Sequence, residues 1–514
     1  MSFLADNLAP LFVAIVASVM AWLFGGARGG WLVPVVPWFS FFMLEVIFCF
    51  PQRHHGESTY EARARVWKAL RHDPLVWTSL GLFLLLLVPF LNCGLCTSCD
   101  AVKIAQGFDP APPIPFIPFC VNRLDHLNVV LWFATVLPSV IAVRHCLTNA
   151  GRRLVLQLVV WNGVAVAALG LAQAAMAAPG PYWIPRIPGT TRAEPGDFFA
   201  TFGYPNMAGD YFVLLFGIAV ALWRDHYERF RANFQMKDIS KSAPKRPRQF
   251  WRKHFYFIPT LVFFYSALQT LSRAAIILVT VTAVVYFLHA LVVYLSRLNK
   301  ARRLTVGVWS MIVFGFIIFL AVEFMPTDLQ KEVDTLGTTE VLDRVTGRGQ
   351  YHVKVATEVW KDHKLFGCGG WGYLHLCVPK MKELGISLKE LQVVGGINVH
   401  NDYLQMLAEH GLVGFGAIMA IVLMLLWPIG VEWRRLVESL RFSRRQDLPP
   451  KPRQIFVLPT GAFCALVALL ASFIHAFGDC PLRSLAVMDL FFVTLAALPG
   501  FLSSHGTPPA ATNH

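Results

Sequence analysis

The polar residues of this 514-residue chain that are placed to do chemistry are few, and they sit at the margins of long apolar runs. His400-Asn401 stands just before a helical stretch, Asp402 to Leu412, in which Asp402 and Gln405 read as an N-cap pair. Free amides and the positive dipole end of such a helix favour a bound anion and hold an adjacent imidazole neutral. A neutral histidine beside a phosphate site can take the proton of an incoming hydroxyl, the general-base role, although a single histidine at a helix start is also a common structural cap. Ser272 and Arg273 lie between two apolar runs with no polar connection around them. A charged side chain there is costly unless it faces a cavity or an anionic partner, or snorkels to the interface. Arg192 and Asn206 in an earlier loop, Arg344, Arg348, His352 and His375 in the polar segment that ends at His410, and Asp479 in the turn after His475 complete the set. These loops contain no Asp-x-Asp pair to hold a divalent metal, so neither a metal nor a cofactor is expected.

The elements that must position these groups are membrane helices. With 55% hydrophobic and 15% charged residues and a mean hydropathy of +0.52, there is too little charge to cover the apolar surface of a soluble domain. A crossing helix needs about 20 largely apolar residues, because each backbone amide must be satisfied within the segment. That window predicts an all-α integral membrane protein with about twelve transmembrane helices, near 8–25, 31–50, 75–92, 126–143, 154–176, 207–223, 254–270, 274–295, 305–323, 411–430, 455–475 and 482–501. Lys and Arg gather in the loops at 51–74, 144–153, 224–253, 296–304 and 431–454, all on one side of this arrangement. The positive-inside rule makes that side cytoplasmic, puts both termini there, and turns the large loop of 324–410 outward. The first span carries no basic leader or small-residue cleavage site and reads as retained. The net charge of +14 is explained by this topology, and nucleic-acid binding is not expected. The basic run from Arg224 to His254 reads first as a topology signal and second as a site for anionic headgroups, at about 1 kcal/mol per charge.

The chain divides into N-terminal spans with a Cys/Pro-rich outer loop (1–125), central spans (126–323), a large outer loop (324–410), and C-terminal spans with a cytoplasmic tail (411–514). Within the large loop, Val353, Ala356, Val359 and Trp360 recur at helical spacing, so Arg348 to His363 is expected as an amphipathic helix lying on the protein or the bilayer surface. It ends at the flexible Gly367-Cys368-Gly369-Gly370. Cys93, Cys96, Cys99 and Cys120 share one outer loop and Cys368 and Cys377 another; disulfides are the first reading, a thiolate metal site at the first group the second.

These residues resemble a known pattern. His400-Asn401, nine residues, then Gly411-Leu412-Val413-Gly414 is similar to the His-[Asn/Ser/Gln]-x9-Gly-x-x-[Gly/Thr/Tyr] motif of bacterial O-antigen ligases. Thr201 to Ala208 resembles that family's Phe-x-Asn-Pro-Asn-x-x-Ala segment, with Tyr204 in place of the first Asn, and Ser272-Arg273-Ala274 resembles its Ser-Arg-Gly/Ala element. Arg348, Trp360 and Gly367 to Tyr373 resemble the start of its large periplasmic loop. The likeness runs over roughly residues 125 to 500 and leaves the first 120 uncovered. O-antigen polymerases share this plan. The resemblance implies a metal-independent, inverting transfer of a glycan from a polyprenyl (undecaprenyl) diphosphate donor to a lipid A core or other glycan acceptor, on the periplasmic side of the inner membrane. It implies Arg273 and Arg348 on the diphosphate, with Arg192 assisting, and His400 as base or orienter of the acceptor. Asn401 would order the turn, Asp479 would orient the acceptor, and Ser272 and Asn206 would line the substrate site. Polymerisation of repeat units and glycosylation of proteins are the alternatives within the superfamily. A transporter or flippase is the alternative outside it, though the charges cluster at outer helix ends rather than near the midplane. A receptor would need a cytoplasmic domain that none of the inner loops is long enough to form.

Overall fold

The structure, a computed structural model, describes residues 2–26, 35–54, 56–93, 114, 116–184, 198–237, 253–296, 298–323, 327, 329–330, 334, 339–386, 398–445 and 458–502. Among these there is no strand, only two isolated bridges, and the protein is all-helical. The elements in order are α1 (Ser2–Trp22), α2 (Val35–Cys49), α3 (Thr59–His72), α4 (Pro74–Leu91), α5 (Arg123–Ile141), α6 (Asn149–Ala175), α7 (Pro205–Lys237) and α8 (Phe257–Gln269). They continue with α9 (Arg273–Leu295), α10 (Lys300–Glu323), α11 (Thr339–Asp362), α12 (Gly372–Glu383), α13 (Asp402–Arg445), α14 (Thr460–Gly478), α15 (Leu485–Ala497) and α16 (Pro499–Leu502).

Among the described residues, eight segments are long and apolar enough to cross a membrane: Pro74–Leu91, Arg123–Cys146, Asn149–Ala175, Pro205–Phe230, Arg273–Leu295, Asp402–Glu438, Thr460–Gly478 and Leu485–Leu502. Asn7–Trp22, Pro37–Cys49 and Phe257–Gln269 are apolar but shorter, and the window at 305–323 falls on α10. This is a polytopic membrane protein, with eight such segments among the described residues where the hydropathy window expects twelve in the whole chain.

Burial separates the helices into layers. The apolar windows of α7 and of Leu485–Leu502 are 89% buried, whereas those of α4 and α9 are only 28% buried, so α7 and α15 form the centre and α4 and α9 the periphery. A helix apolar all round is stable only when enclosed by others or by lipid, and here both cases occur. Lipid tails are as apolar as leucine, so the central helices hold together by close approach rather than by hydrophobic transfer. At Gly217 of α7 a Cβ would come within 2.2 Å of Ala468 Cβ on α14, which fixes how near those two axes lie.

A second, smaller core lies beside the bundle, built from Phe119, Val121, Val355, Ala356, Val359, Tyr373, Cys377, Met381, Val399 and Ala408. Helix α11 thus packs on the protein, with Ala356, Val359 and the partly buried Trp360 of the expected face in this core and Val353 turned out of it. His352, Val355, Ala356 and Val359 point inward, while Val353 is 41% exposed, a rotation that the enclosure of α11 by α12 and α13 imposes. Cys368 and Cys377, expected as a disulfide pair, are separate buried thiols, with Cys377 Sγ donating to Tyr373 Oη at 3.5 Å. Cys93 and Cys120 are brought together in one of the isolated bridges, while Cys96 and Cys99 lie outside the described residues.

Candidate active site

Helix α13 begins where the His400 motif predicts a helix, with the cap one residue earlier than expected. The N-cap is Asn401, whose Oδ1 accepts from Leu404 N at 3.0 Å. Asp402, read from the sequence as the cap, is the first helical residue, and its carboxylate instead accepts from Leu482 N at 2.8 Å. The cause is a buried cation. Arg483 donates to Glu409 at 2.8 Å and lies 3.7 Å from Asp402, with its guanidinium over the Trp371 ring at 5.1 Å. Gln405, the other half of the expected pair, accepts from Val399 N at 3.0 Å and donates to Glu409 at 3.0 Å. One guanidinium thus ties the first turns of α13 to the turn between α14 and α15. The carboxylates of Glu409 and Asp402 hold Arg483 protonated, raising its pKa against the opposing effect of burial.

That clamp brings His400 to Asp479, 79 positions away in sequence, with Nδ1 3.1 Å from Asp479 Oδ1. His400 takes φ 54°, a left-handed backbone that turns its ring out of the helix line, and its side chain is 27% exposed. Nε2 makes no hydrogen bond among the described residues, and the His352 ring stands edge-on at 5.7 Å. Asp479, in contrast, is buried and crowded with donors. It accepts from Asn206 Nδ2, from Tyr204 Oη at 3.2 Å and from Cys480 N at 2.8 Å. Burial raises its pKa, but the hydrogen bond and charge interaction with His400, with the Cys480 amide, outweigh this and hold it below the usual carboxylate value. Burial and the neighbouring carboxylate push the Tyr204 phenol and the Cys480 thiol upward, so both serve as neutral donors.

Asp479 is held from behind by a second pair. His475 Nδ1 lies 2.9 Å from Asp210 Oδ1 of α7, Ser472 donates to Asp210 Oδ2 at 2.5 Å, and Asp479 N donates to His475 O at 3.0 Å. The last turn of α14 is therefore fixed to α7, the helix whose start carries Asn206.

The first glycine of the motif, Gly411, answers to a close approach. The segment from Lys364 to Gly369 runs against the kink in α13, with Cys368 N to Ala408 O at 3.1 Å, Gly369 N to Glu409 O at 2.9 Å and Val413 N to Leu365 O at 3.0 Å. Gly411 breaks the helix at φ 63°, ψ −173°, and a Cβ there would meet Leu365 O at 2.2 Å. Only glycine satisfies both the backbone angle and the contact.

Of the sequence-derived candidates, the structure brings together His400, Asn401, Asn206 and Asp479. Ser272 caps α9, accepting from Ala275 N at 3.3 Å, and leaves Arg273 half-buried as the first residue of that helix. The head of α9 packs on α7 one turn below Asn206, where a Cβ at Gly209 would lie 3.2 Å from Ser272 Cβ. Arg348 belongs to α11, but its side chain lies outside the described residues, as does the whole of Arg192. His375, grouped in the sequence with the loop histidines, is buried and pairs with Asp125 at 2.7 Å. Arg483, Glu409 and Tyr204 join this site without being singled out for it by the sequence pattern. Arg483 carries the signal that singled out Arg273, a charge in a short link between apolar runs, and Tyr204 stood out as the departure from its motif.

His400, Asp479 and Cys480 each offer one ligand atom within 4.8 Å of the others, a group that can hold a metal ion. No curated protein matches the chain closely enough to count. Residues 258–419, from α8 through the kink of α13, match the family model described as O-antigen ligase. The domain in that stretch supports the O-antigen ligase superfamily.

Proposed function

We propose that this membrane protein transfers a glycan from a polyprenyl diphosphate carrier to an acceptor hydroxyl on the periplasmic side of the bacterial inner membrane, ligating a finished glycan to a lipid A core. The observation that carries the reading is the His400–Asp479 pair inside a superfamily of glycan transferases. A carboxylate accepting from Nδ1–H keeps the proton on that nitrogen and leaves Nε2 free as a base. In the reaction Nε2 takes the proton of the acceptor hydroxyl while its oxygen attacks the anomeric carbon. The bond from that carbon to the diphosphate breaks on the opposite face, and the polyprenyl diphosphate leaves with the electron pair, inverting the centre. Asp479 stabilises the imidazolium so formed.

Arg273, Arg348 and Arg192 are assigned to the diphosphate, since guanidinium forks suit phosphate oxygens and offset leaving-group charge. Ser272 sets Arg273 at its helix start, Asn206 holds Asp479, and Asn401 fixes the turn that carries His400. The reaction is metal-independent in this reading, because the oxygens of Asp479 are already committed to Tyr204, Asn206, His400 and the Cys480 amide. Twelve spans with both termini cytoplasmic complete the proposal.

The test is the surface glycan of a strain lacking the gene. Long polymer stranded on polyprenyl diphosphate with none on the lipid supports ligation. Single repeat units still reaching the lipid would make the enzyme a polymerase. A normal lipid-linked glycan would move the acceptor to protein or overturn the transferase reading.

A further inference from the structure

At the far end of α7 from His400 and Asp479 lies a cavity of about 430 Å³, lined by Trp223, Arg224, Tyr227, His254, Ala290, Val293, Tyr294 and Leu298. Asn206 at the head of α7 and Arg224 are separated by 18 residues, or ~27 Å of helix, close to the thickness of the hydrocarbon core. The cavity therefore sits at the opposite membrane face from the candidate active site.

Its charge is unbalanced by construction. Arg224 and Tyr227, three residues apart, share the face of α7 that looks into the cavity. The acids of the same turns look elsewhere. Asp225 accepts from Arg229 at 2.7 Å, and Glu228 accepts from Thr460 of α14 at 2.8 Å. Among the described residues no carboxylate lines the cavity, and Arg224 Nε is buried without a hydrogen-bond partner. The ring of His254 is turned to Trp223, whose Nε1 donates to His254 Nδ1 at 3.1 Å. A buried guanidinium N–H left without an acceptor is costly, so an anion that accepts from it is favoured. The remaining wall, Ala290, Val293 and Leu298, is apolar and belongs to the end of α9 and the link after it, where a hydrocarbon chain would run.

We propose that this cavity binds a phosphate ester anion, with Arg224 on its oxygens and the hydroxyls of Tyr227 and Tyr294 as further donors. The apolar wall favours a phospholipid headgroup as its source over free phosphate. The experiment uses the full chain, purified in neutral detergent and titrated with phosphatidylglycerol, phosphatidylcholine and inorganic phosphate while bound species are counted by native mass spectrometry. Saturable retention of phosphatidylglycerol, at least about tenfold weaker in Arg224→Gln, supports a lipid site. Saturation by inorganic phosphate that displaces the lipid supports the same anion site with a soluble source. Ala290→Phe, which fills the cavity and leaves the charge in place, should lose binding to the same degree, and serves if Arg224→Gln fails to fold. Retention of neither probe, or retention unaffected by both variants, would overturn the proposal.

Discussion

Replacing Asp479 by asparagine keeps the shape of a buried side chain, removes its charge and turns one acceptor oxygen into a donor. The carboxylate now gathers donors from His400, Asn206, Tyr204 and the Cys480 amide, and an amide cannot satisfy them all. If its NH2 turns to His400, Nδ1 must accept, the proton moves to Nε2, and the base is lost. If its oxygen turns to His400, the NH2 faces the Asn206 amide nitrogen, and the imidazolium formed in the reaction has no counter-charge. Either way the general-base contribution of ~10²–10⁴-fold is forfeited, which is ~2.7–5.5 kcal/mol of activation free energy. The assay is transfer from a purified polyprenyl-diphosphate glycan by the detergent-solubilised variant, with its amount and monodispersity checked in parallel. A rate within about threefold of the parent would refute the pairing as a catalytic device. The pH dependence of stability offers an independent check. Because the folded pKa of Asp479 is depressed, its contribution is fully present above the ordinary carboxylate value of ~3.9 and is lost as pH falls through the folded value. The parent should therefore exceed Asp479→Asn in thermal stability at neutral pH, with the gap closing below about pH 4.

Three further outcomes follow from the geometry. Gly411→Ala places a Cβ 2.2 Å from Leu365 O at φ 63° and should cost about 2 kcal/mol or more, whereas Gly416→Ala, with nothing within 4 Å, should be neutral; equal melting temperatures would contradict the account of the kink. Arg483→Lys leaves a point charge where a fork spans Glu409 and Asp402 beneath Trp371, and should cost about 3 kcal/mol and reduce transfer; unchanged stability would remove Arg483 as the clamp. Prolonged chelation should leave transfer intact; loss that zinc or magnesium restores would make His400, Asp479 and Cys480 a metal centre instead.

Much of the helical architecture is legible in the sequence, because burying a backbone in lipid leaves so few solutions. The break between Asp402–His410 and the span beyond Gly411 is readable for the same reason, as a polar stretch cannot cross. Helix α11 is read correctly as a helix and, at Ala356, Val359 and Trp360, as to face; Val353 is the exception, since spacing alone does not say which neighbours enclose the helix. The cap falls one residue early because Asp402 has a use the local sequence does not reveal, a contact with Leu482 and Arg483 some eighty positions on. His400 and Asp479 were each legible as candidates. Their pairing was not, since it arises from the packing of α13 on α14 and from the Asp210–His475 contact that fixes the end of α14 to α7.

The most direct measurement is glycan transfer by His400→Ala in the strain lacking the gene, with the membrane abundance of the variant measured alongside. The account predicts that transfer is lost while the protein remains inserted and abundant. Normal transfer by that variant would contradict the role of His400 as the base.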